Sequence, residues 1–271
     1  MNKWELTLFK WRRKLRDKFA NEQIFNSYAD ARQYCSANDY ENDEIINLVK
    51  AKSINYRKEL LQTSFPKINM GVMPILQAIQ NTDGSVVIFD FGGADGIYYL
   101  QTRRCVPLSV QLIWCVIETP KMCAAMKEFE TEELKFFPGI AEASNHVKRN
   151  PDIFHTSSTL QYTEDPLKYL ALICNAGAKF LVFNRQSLTR GDAALVSVQT
   201  SLLSWHGQGS LPSGFTERVI QYPHTNIPQQ EFERVISSNY EIIYAFEDSS
   251  GVKTVNKEPI AGTCYFCRMR S

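Results

Sequence analysis

An acidic residue followed by closely spaced glycines is the part of this sequence whose residue types most clearly suggest chemistry. The apolar run VVIFD is typical of a buried strand, and the glycines directly after it predict a tight turn into a helix. Such a turn presents backbone N–H groups and little steric bulk to a ligand. We therefore expect a ligand to lie against five residues of this turn: Asp90, Gly92, Gly93, Ala94 and Gly96.

The spacing of these residues discriminates between two classes of ligand. Dinucleotide binding requires glycines at i, i+2 and i+5, but this register places Gly92, Ala94 and Ile97 there, so the third requirement fails. Turns that bind S-adenosylmethionine (SAM) have an acid followed by small residues two, four and six positions later. The acid at position 90 fits that second register. The turn therefore favours SAM over NAD, and a tight turn without a ligand is the remaining alternative.

A second acid lies at the end of the next apolar run. Glu118 closes LIWCVIE, and Thr119 follows it. A carboxylate at the end of the second strand can accept hydrogen bonds from both ribose hydroxyls of an adenosine. Glu118 and Thr119 therefore predict a nucleoside site, although this feature fits SAM and NAD equally well. A surface acid at a strand end is the alternative.

The elements that must position these residues alternate from about residue 84 onward. Short β-rich runs such as VQLIWCVIE, LKFF and KFLVFNR are each followed or preceded by helical patterns. Repeated βαβ units predict a parallel sheet with helices on both faces. The last two runs, YEIIYAFED and TCYFCRM, have no helix between them, so they predict an antiparallel pair. We expect an α/β fold with a Rossmann-like, seven-stranded sheet whose last strand is antiparallel and lies between the fifth and sixth.

The same sequence patterns predict an N-terminal region, a ligand-binding domain and a loop within that domain. Residues 1–80 have helical periodicity and predict a helical N-terminal extension, with a basic amphipathic helix at 1–19. Residues 81–271 then form the ligand-binding domain. The polar excursion at about 186–228 predicts a loop that covers an acceptor site.

Several ordered blocks together resemble a family of bacterial SAM-dependent methyltransferases frequently found among genes for surface polysaccharides. The blocks are YADARQYCSANDYENDEII, FDFGGADGIYYL, WCVIETPKM, LKFF and HTSSTLQYTEDP, within residues 25–250. The resemblance implies the class I methyltransferase fold and SAM bound at residues 90–96 and at Glu118. It also implies O-methylation of a sugar or glycan intermediate in polysaccharide biosynthesis. VFNRQSL departs from the expected pattern, because Asn184 stands where an acid is expected before the arginine.

Acceptor groups should come from the carboxyl ends of strands four and five. DIFHTSSTLQY places Ser157 beside SAM, and we expect four residues to contact the acceptor: Gln161, Tyr162, Arg185 and Tyr222. Arg185 could hold a phosphate or carboxylate as a planar fork, or could be an ordinary surface arginine.

Histidines are the candidates for the base that takes a proton from the acceptor, because imidazole titrates near neutral pH. His224 in QYPHTN is the first candidate and His206 in SWHGQG the second, with an ordinary surface histidine as the alternative for both. His155 lies within the fourth strand, so it is either a catalytic group or an interior histidine with satisfied hydrogen bonds.

Composition limits the classes of partner. The 271 residues carry 30 basic and 29 acidic side chains, which gives a net charge of +1. The overall charge therefore does not create a positive electrostatic potential that would attract nucleic acid. Seven cysteines, several within predicted strands or helices, favour a reducing compartment. The CYFC spacing lacks a second ligand pair, so we predict no metal. We expect a cytoplasmic protein, and the sequence does not indicate its oligomeric state.

The N-terminal segment allows two interpretations. Apolar residues at helical spacing, beginning with Trp4, Leu8 and Trp11, leave lysines and arginines on the other face of residues 1–19. Such a helix can bind the inner face of an anionic membrane, or can pack on the domain or on a second subunit. Two other function classes also remain open: an NAD-linked oxidoreductase, and a methyltransferase-like scaffold or binding protein without catalysis.

Overall fold

Nine strands among the described residues form one open sheet. The structure is a computed structural model that describes residues 23–35, 42–64 and 67–270, together with Thr7. The strands are β1 (Val86–Phe91), β2 (Leu112–Ile117), β3 (Leu134–Phe137), β4 (Ile153–Ser157), β5 (Phe180–Thr189), β6 (Leu195–Leu202), β7 (Val219–Pro228), β8 (Tyr240–Val255) and β9 (Glu258–Met269). The helices are α1 (Tyr28–Cys35), α2 (Asp43–Gln62), α3 (Val72–Gln80), α4 (Ile97–Cys105), α5 (Pro120–Met126), α6 (Ile140–Val147), α7 (Pro166–Asn175) and α8 (Gln229–Ser237).

Seven of the strands follow the order β3-β2-β1-β4-β5-β9-β8. The first five pair in parallel, whereas β9 runs antiparallel to both β5 and β8. Tyr265 in β9 pairs with Phe183 on one side and Ala245 on the other. The prediction of an antiparallel last strand between the fifth and sixth is therefore confirmed.

Two hydrophobic clusters hold helices on the two faces of the sheet. Strand β1 is buried at five of its six positions, as expected for a parallel strand covered on both sides. One cluster packs α2 to α5 on the sheet through residues such as Ile75 and Met122. The other packs α6, α7 and α8 through residues such as Leu170 and Phe232. The sheet therefore has two covered faces, and ligands must enter at its ends.

Helices α1, α2 and α3 precede β1, in agreement with the helical character predicted for residues 25–80. The amphipathic helix predicted at residues 1–19 lies outside the described residues, apart from Thr7. None of the helices in the described part of the chain is both long and apolar enough to cross a membrane.

The segment predicted as a covering loop at 186–228 is largely strand, which corrects that prediction. Strand β5 continues to Thr189, and β6 and β7 form an antiparallel ribbon. The stretches LVSVQTSL and VIQYPHTNIP are rich in β-branched residues and tyrosine, which are typical of strands, but they alternate apolar with polar residues only in part, as at VSVQ. A structureless loop of that length would have left many backbone groups without partners.

The end of β5 also decides where the ribbon lies. Strand β9 pairs with β5 along one edge from Phe180 to Thr189, while β4 pairs with the opposite edge only as far as Asn184. Leu188 and Thr189 then pair with Ile227 and Pro228 of β7. The ribbon of β6 and β7 therefore continues the sheet beyond the carboxyl end of β4.

Candidate functional site

A cleft of about 1050 Å³ opens at the carboxyl ends of β1, β2, β4 and β5, beneath the ribbon of β6 and β7. Open α/β sheets bind ligands at this edge. Gly92, Glu118 and Ser157 line its sheet side, whereas Tyr162, His206 and Tyr222 line its ribbon side. The cleft therefore brings several of the predicted acceptor residues together with four of the eight predicted cofactor residues, Gly92, Glu118, Thr119 and Ser157, whereas Asp90, Gly93, Ala94 and Gly96 do not line it.

The glycines of the turn after β1 are required mainly by the protein itself. Gly92 and Gly96 have φ values of 71° and 77°, the left-handed region that favours glycine. A Cβ at Gly92 would lie 2.1 Å from Oγ1 of Thr159, and one at Gly93 would lie 2.5 Å from Oδ2 of Asp90. The expectation that a ligand alone excludes these side chains is therefore incomplete, although Gly92 does line the cleft.

Glu118 lines the sheet side of the cleft, and two backbone hydrogen bonds fix the orientation of its carboxylate. Its Oε1 accepts from the Ala94 N–H at 3.1 Å, and its Oε2 accepts from the Thr119 N–H at 3.0 Å. Thr119 caps α5, with its hydroxyl accepting from Met122 N at 3.4 Å. The carboxylate thereby connects the end of β2 to the turn after β1.

Asp90 and His155 belong to a buried network rather than to the cleft surface. His155 Nδ1 lies 2.7 Å from Asp90 Oδ1, and Trp114 Nε1 donates to Asp90 Oδ2 at 3.1 Å. Asn184 Nδ2 lies 2.9 Å from His155 Nε2 and 3.0 Å from the Gly71 carbonyl oxygen. Because the amide donates to both, Nε2 accepts and Nδ1 carries the proton to Asp90. His155 is fully buried, in the position of an interior histidine with satisfied hydrogen bonds.

Arg185 lies at a bulge of β5 and reaches the cleft. The register of β5 against β9 shifts between Phe183 and Gln186, and Arg185 has a φ of 53°. Bulges re-aim side chains near functional sites. Its Nη2 donates to Ser157 Oγ at 3.2 Å, and within the described chain it has no carboxylate partner. Arg185 is exposed and therefore available to an anionic group in the cleft.

Tyrosines and an amide line the ribbon side of the cleft. Tyr162 donates to Gln199 Oε1 at 3.1 Å, and Gln199 Nε2 donates to the Tyr222 hydroxyl at 3.2 Å. Burial and the neighbouring Tyr222 raise the pKa of Tyr162 above its usual range, so its hydroxyl stays protonated at neutral pH. Tyr28 of α1 donates to the Tyr162 carbonyl oxygen at 2.6 Å. The chain of hydrogen bonds fixes the rings that an acceptor would contact.

The histidines differ in access. His206 lines the cleft, and its Nε2 lies 3.2 Å from Ser201 Oγ. His224 is half-buried behind Tyr162, with ring centroids 5.3 Å apart, and does not line the cleft described above. Gln161 is also outside the cleft lining, where its Nε2 donates to the Arg185 carbonyl oxygen at 3.4 Å. The predicted roles of His224 as the base and of Gln161 as an acceptor contact stay predictions.

Sequence reasoning missed residues whose role depends on distant contacts. Tyr28 and Thr159 line the cleft, and Lys52 of α2 contacts the segment that carries His206. A tyrosine in the first helix and a lysine in the second carry no local signal. The sequence would have indicated Gln199 only if β6 had been predicted as a strand facing the cleft. Within the part of the chain that the structure describes, no group of three or more histidine, cysteine, aspartate or glutamate side chains could hold a metal ion.

Comparison with known proteins identifies the fold. No protein-family profile and no curated protein matches this chain by sequence. The structure of the CcbJ methyltransferase from Streptomyces caelestis is similar, with a TM-score of 0.51 and 9% identity over 86% of this chain and 99% of that one. An S-adenosylmethionine-dependent methyltransferase from Clostridium acetobutylicum has a TM-score of 0.46 and 10% identity over 82% of this chain and 99% of that one.

A sugar N-methyltransferase from a Streptoalloteichus species also matches, with a TM-score of 0.46 and 12% identity over 74% of this chain and 87% of that one. At such low identity the similarity shows the fold alone. The strand order and the antiparallel β9 agree with it: the chain has the class I methyltransferase fold.

Proposed function

We propose that this protein is a SAM-dependent methyltransferase whose acceptor is a polar small molecule, in the first place a sugar or glycan hydroxyl. One observation carries the proposal. A single cleft at the carboxyl edge of a class I sheet has a fixed carboxylate, Glu118, on one side and hydrogen-bonded tyrosines with His206 on the other. The methyl donor and the acceptor could therefore bind side by side in the same cleft.

The residues on the sheet side suit SAM. Glu118 is positioned to accept from ribose hydroxyls, and Gly92 leaves the backbone open toward the cleft. Ile117, Pro138 and Ile140 supply apolar surface next to Glu118, as a flat adenine requires. The antiparallel β9 supports SAM over NAD as the ligand. NAD-linked oxidation is the less favoured alternative.

The ribbon side suits a polar acceptor that carries an anionic group. Tyrosine rings combine apolar faces with hydroxyls, which sugars can contact through their C–H and O–H groups. Arg185 adds a planar cation without a carboxylate partner among the described residues, so a phosphate or carboxylate on the acceptor could bind there. A nucleotide-activated sugar and a uronic acid share this chemistry.

Methyl transfer asks the protein to position groups more than to react with them. SAM supplies an already activated methyl group when bound. The chain must then align the acceptor at near-attack distance, exclude water, and take the acceptor's proton. Tyr162, Gln199 and Tyr222 are held by one another and can orient the acceptor, and the ribbon forms one wall of the cleft.

Calorimetry tests the cofactor directly. SAM and S-adenosylhomocysteine should bind in the micromolar range and NAD should not. Binding of NAD alone would contradict the proposal, and binding of none of the three would favour a scaffold without catalysis. Release of S-adenosylhomocysteine with UDP-glucose, glucuronic acid and glucose then separates a phosphate-bearing from a carboxylate-bearing acceptor, with glucose as the uncharged comparison.

The Glu118→Ala substitution should weaken SAM binding while the protein stays folded. Loss of hydrogen bonds to a charged group costs about 1.5–3 kcal/mol, or roughly tenfold or more in affinity. Glu241→Ala is the matched control, because Glu241 pairs with Arg268 on the exposed surface of β8, away from the cleft. Equal SAM affinity in the Glu118 variant and the control would show that the Glu118 carboxylate does not contribute to SAM binding.

We extend the proposal to a cellular setting that stays to be tested: surface-polysaccharide biosynthesis in the cytoplasm, with residues 1–19 on the inner face of the membrane. A protein lacking residues 1–19 should fail to bind anionic vesicles yet remain folded. Equal vesicle binding with and without the segment would contradict membrane contact, and a lower thermal stability would favour packing of the segment on the domain.

A further inference from the structure

A buried lysine lies behind the acceptor side of the cleft. Lys52 of α2 is 1% exposed, and its Nζ donates to the Ser204 carbonyl oxygen at 2.7 Å, its one hydrogen bond among the described residues. Burying an ammonium group with so few partners is costly, and burial lowers the pKa of Lys52. The ammonium group therefore holds the segment just before His206, with Glu217 as the nearby opposite charge.

Lys52 and Glu217 hold the segment that carries His206 from two sides. Glu217 Oε1 accepts from the Ser204 N–H at 3.0 Å, while Lys52 binds the carbonyl oxygen of the same residue. The His206 N–H donates to the Leu203 carbonyl oxygen at 3.1 Å. Gly207, which follows, lies against the Lys52 side chain, where a Cβ would be 3.2 Å from Lys52 Cδ. The imidazole is therefore fixed relative to both charges.

Burial and the neighbouring lysine favour the neutral form of His206. Burial and the positive charge of Lys52 lower the pKa of His206 to about 4, and the negative charge of Glu217 opposes them. On its other sides the imidazole meets Ser201 Oγ at 3.2 Å from Nε2 and the Tyr222 ring at 5.8 Å between centroids. At neutral pH the ring can therefore accept a proton.

We propose that His206 takes the proton of the acceptor through Ser201, and that Lys52 and Glu217 are positioning residues that fix this imidazole between a positive and a negative charge. The inference rests on the proposed methyltransferase function. In the step, the acceptor oxygen forms a bond to the methyl carbon as the carbon–sulfur bond breaks, and its electron pair stays on sulfur. The acceptor proton moves to Ser201 Oγ while the Ser201 proton moves to His206 Nε2.

Titration of His206 by NMR tests the charge arrangement without any acceptor. The wild-type signal should titrate well below the ordinary value of 6.5. Lys52→Met should move the midpoint upward, because a repelling positive charge is removed, and Glu217→Gln should move it downward. A purely structural role for Lys52 would not produce opposite shifts. A wild-type midpoint near the ordinary value, or shifts of the same sign in both variants, would overturn the proposal.

Turnover of UDP-glucose tests the proton transfer itself. His206→Gln should lower kcat by about 10²–10⁴, with SAM affinity nearly unchanged. Lys52→Met should move the acidic limb of the pH profile to higher pH, because more of the imidazole is then protonated. His146→Gln is the matched control, since His146 is exposed on α6 outside the cleft.

The two proposals fail in different ways. Absence of SAM binding would remove the proposed function, while the NMR titration would still decide the charge arrangement. Turnover kept in His206→Gln but lost in His224→Gln would overturn this inference alone and return the role to His224.

Discussion

At the residue scale, the hydrogen bonds of Asn184 explain why an amide lies at the position before Arg185 where an acid was expected. The amide Nδ2 donates to His155 Nε2 and to the Gly71 carbonyl oxygen, and a carboxylate has no proton to donate to either. The amide thereby completes a network that holds Asp90, the acid at the end of β1. Asp90 supports the turn from inside the protein instead of facing the cleft.

We predict that Asn184→Leu lowers the free energy of unfolding by about 1–3 kcal/mol, because the buried Nε2 of His155 and carbonyl of Gly71 lose their donor. Urea unfolding measures the loss. Asn145→Leu on the exposed face of α6 is the control and should change stability little. Equal effects of the two substitutions would show that the network contributes no net stability.

Two glycines with similar backbone conformation make a second residue-scale prediction. Gly92 and Gly84 have φ values of 71° and 74°, but a Cβ at Gly84 would meet nothing within 4 Å, whereas one at Gly92 would overlap Thr159. Gly84→Ala should cost about 1–2 kcal/mol for the left-handed conformation alone. Gly92→Ala should cost about 1–3 kcal/mol more from the overlap.

Thermal and urea unfolding of both glycine variants check this difference. SAM binding should weaken in Gly92→Ala alone, because that residue lines the cleft. If both substitutions destabilise the protein equally, then the Thr159 side chain moves away from the added Cβ without a loss of stability. The turn would then be less tightly packed than the structure shows.

At the element scale, α2 connects the two sides of the cleft. On the sheet side, Arg57 Nη2 donates to the Asp95 carbonyl oxygen at 3.0 Å, within the glycine-rich turn. On the ribbon side, Glu44 pairs with Arg218, and Lys52 binds the segment before His206. A change in the position of α2 would therefore affect both the glycine-rich turn after β1 and the segment that carries His206.

The Glu44–Arg218 pair should hold the ribbon on α2. Arg218 Nε donates to Glu44 Oε2 at 2.7 Å, and the pair is partly exposed, so a double-mutant cycle with alanine should give a coupling of about 0.2–1 kcal/mol. Hydrogen exchange should become faster in β6 of Arg218→Ala while β1 keeps its protection. Faster exchange throughout the sheet, or in neither strand, would contradict this anchoring role.

At the scale of the whole molecule, the two ends of the sheet have different tasks. The cleft lies at the carboxyl ends of the strands, whereas Asp152 ties together their amino ends. Its Oδ2 accepts from the Val87 N–H and from Arg149, both at 2.9 Å, and its Oδ1 pairs with Lys179 at 2.9 Å. Stability and ligand binding should therefore be separable.

The pH dependence of stability measures the contribution of Asp152 separately from ligand binding. Burial alone would raise the pKa of Asp152, but the Val87 N–H and the ion pairs with Lys179 and Arg149 leave it below its usual value. Because the folded pKa is lowered, the contribution to stability is present above the unfolded pKa of about 3.9 and is lost as pH falls through the folded pKa.

Asp152→Asn should therefore lower stability at pH 7 and reduce its decline in acid, with SAM affinity unchanged. Urea unfolding between pH 2 and pH 7 and calorimetry at pH 7 check the two parts. A marked loss of SAM affinity in this variant would mean that the two ends of the sheet are coupled.

The sequence by itself determined the class of fold and located Gly92 and Glu118 at the carboxyl ends of neighbouring strands, where they line the cleft. Local patterns carry both: buried β-rich runs alternate with helical periodicity, and the glycine register after β1 and the acid after β2 are read within short stretches. The strand pair without an intervening helix also predicted the antiparallel β9, because a short connection leaves no other pairing.

Only the tertiary structure decided which residues line the ribbon side of the cleft. His206, Tyr28 and Lys52 come from segments far apart in the chain, and their proximity depends on β5 extending past β4 so that the ribbon overhangs the cleft. That extension depends on a single bulge and on pairing with β9, a contact between residues about 80 positions apart. Such long-range pairing and burial leave no periodic pattern in the sequence, which is why His224 ranked ahead of His206 on sequence alone.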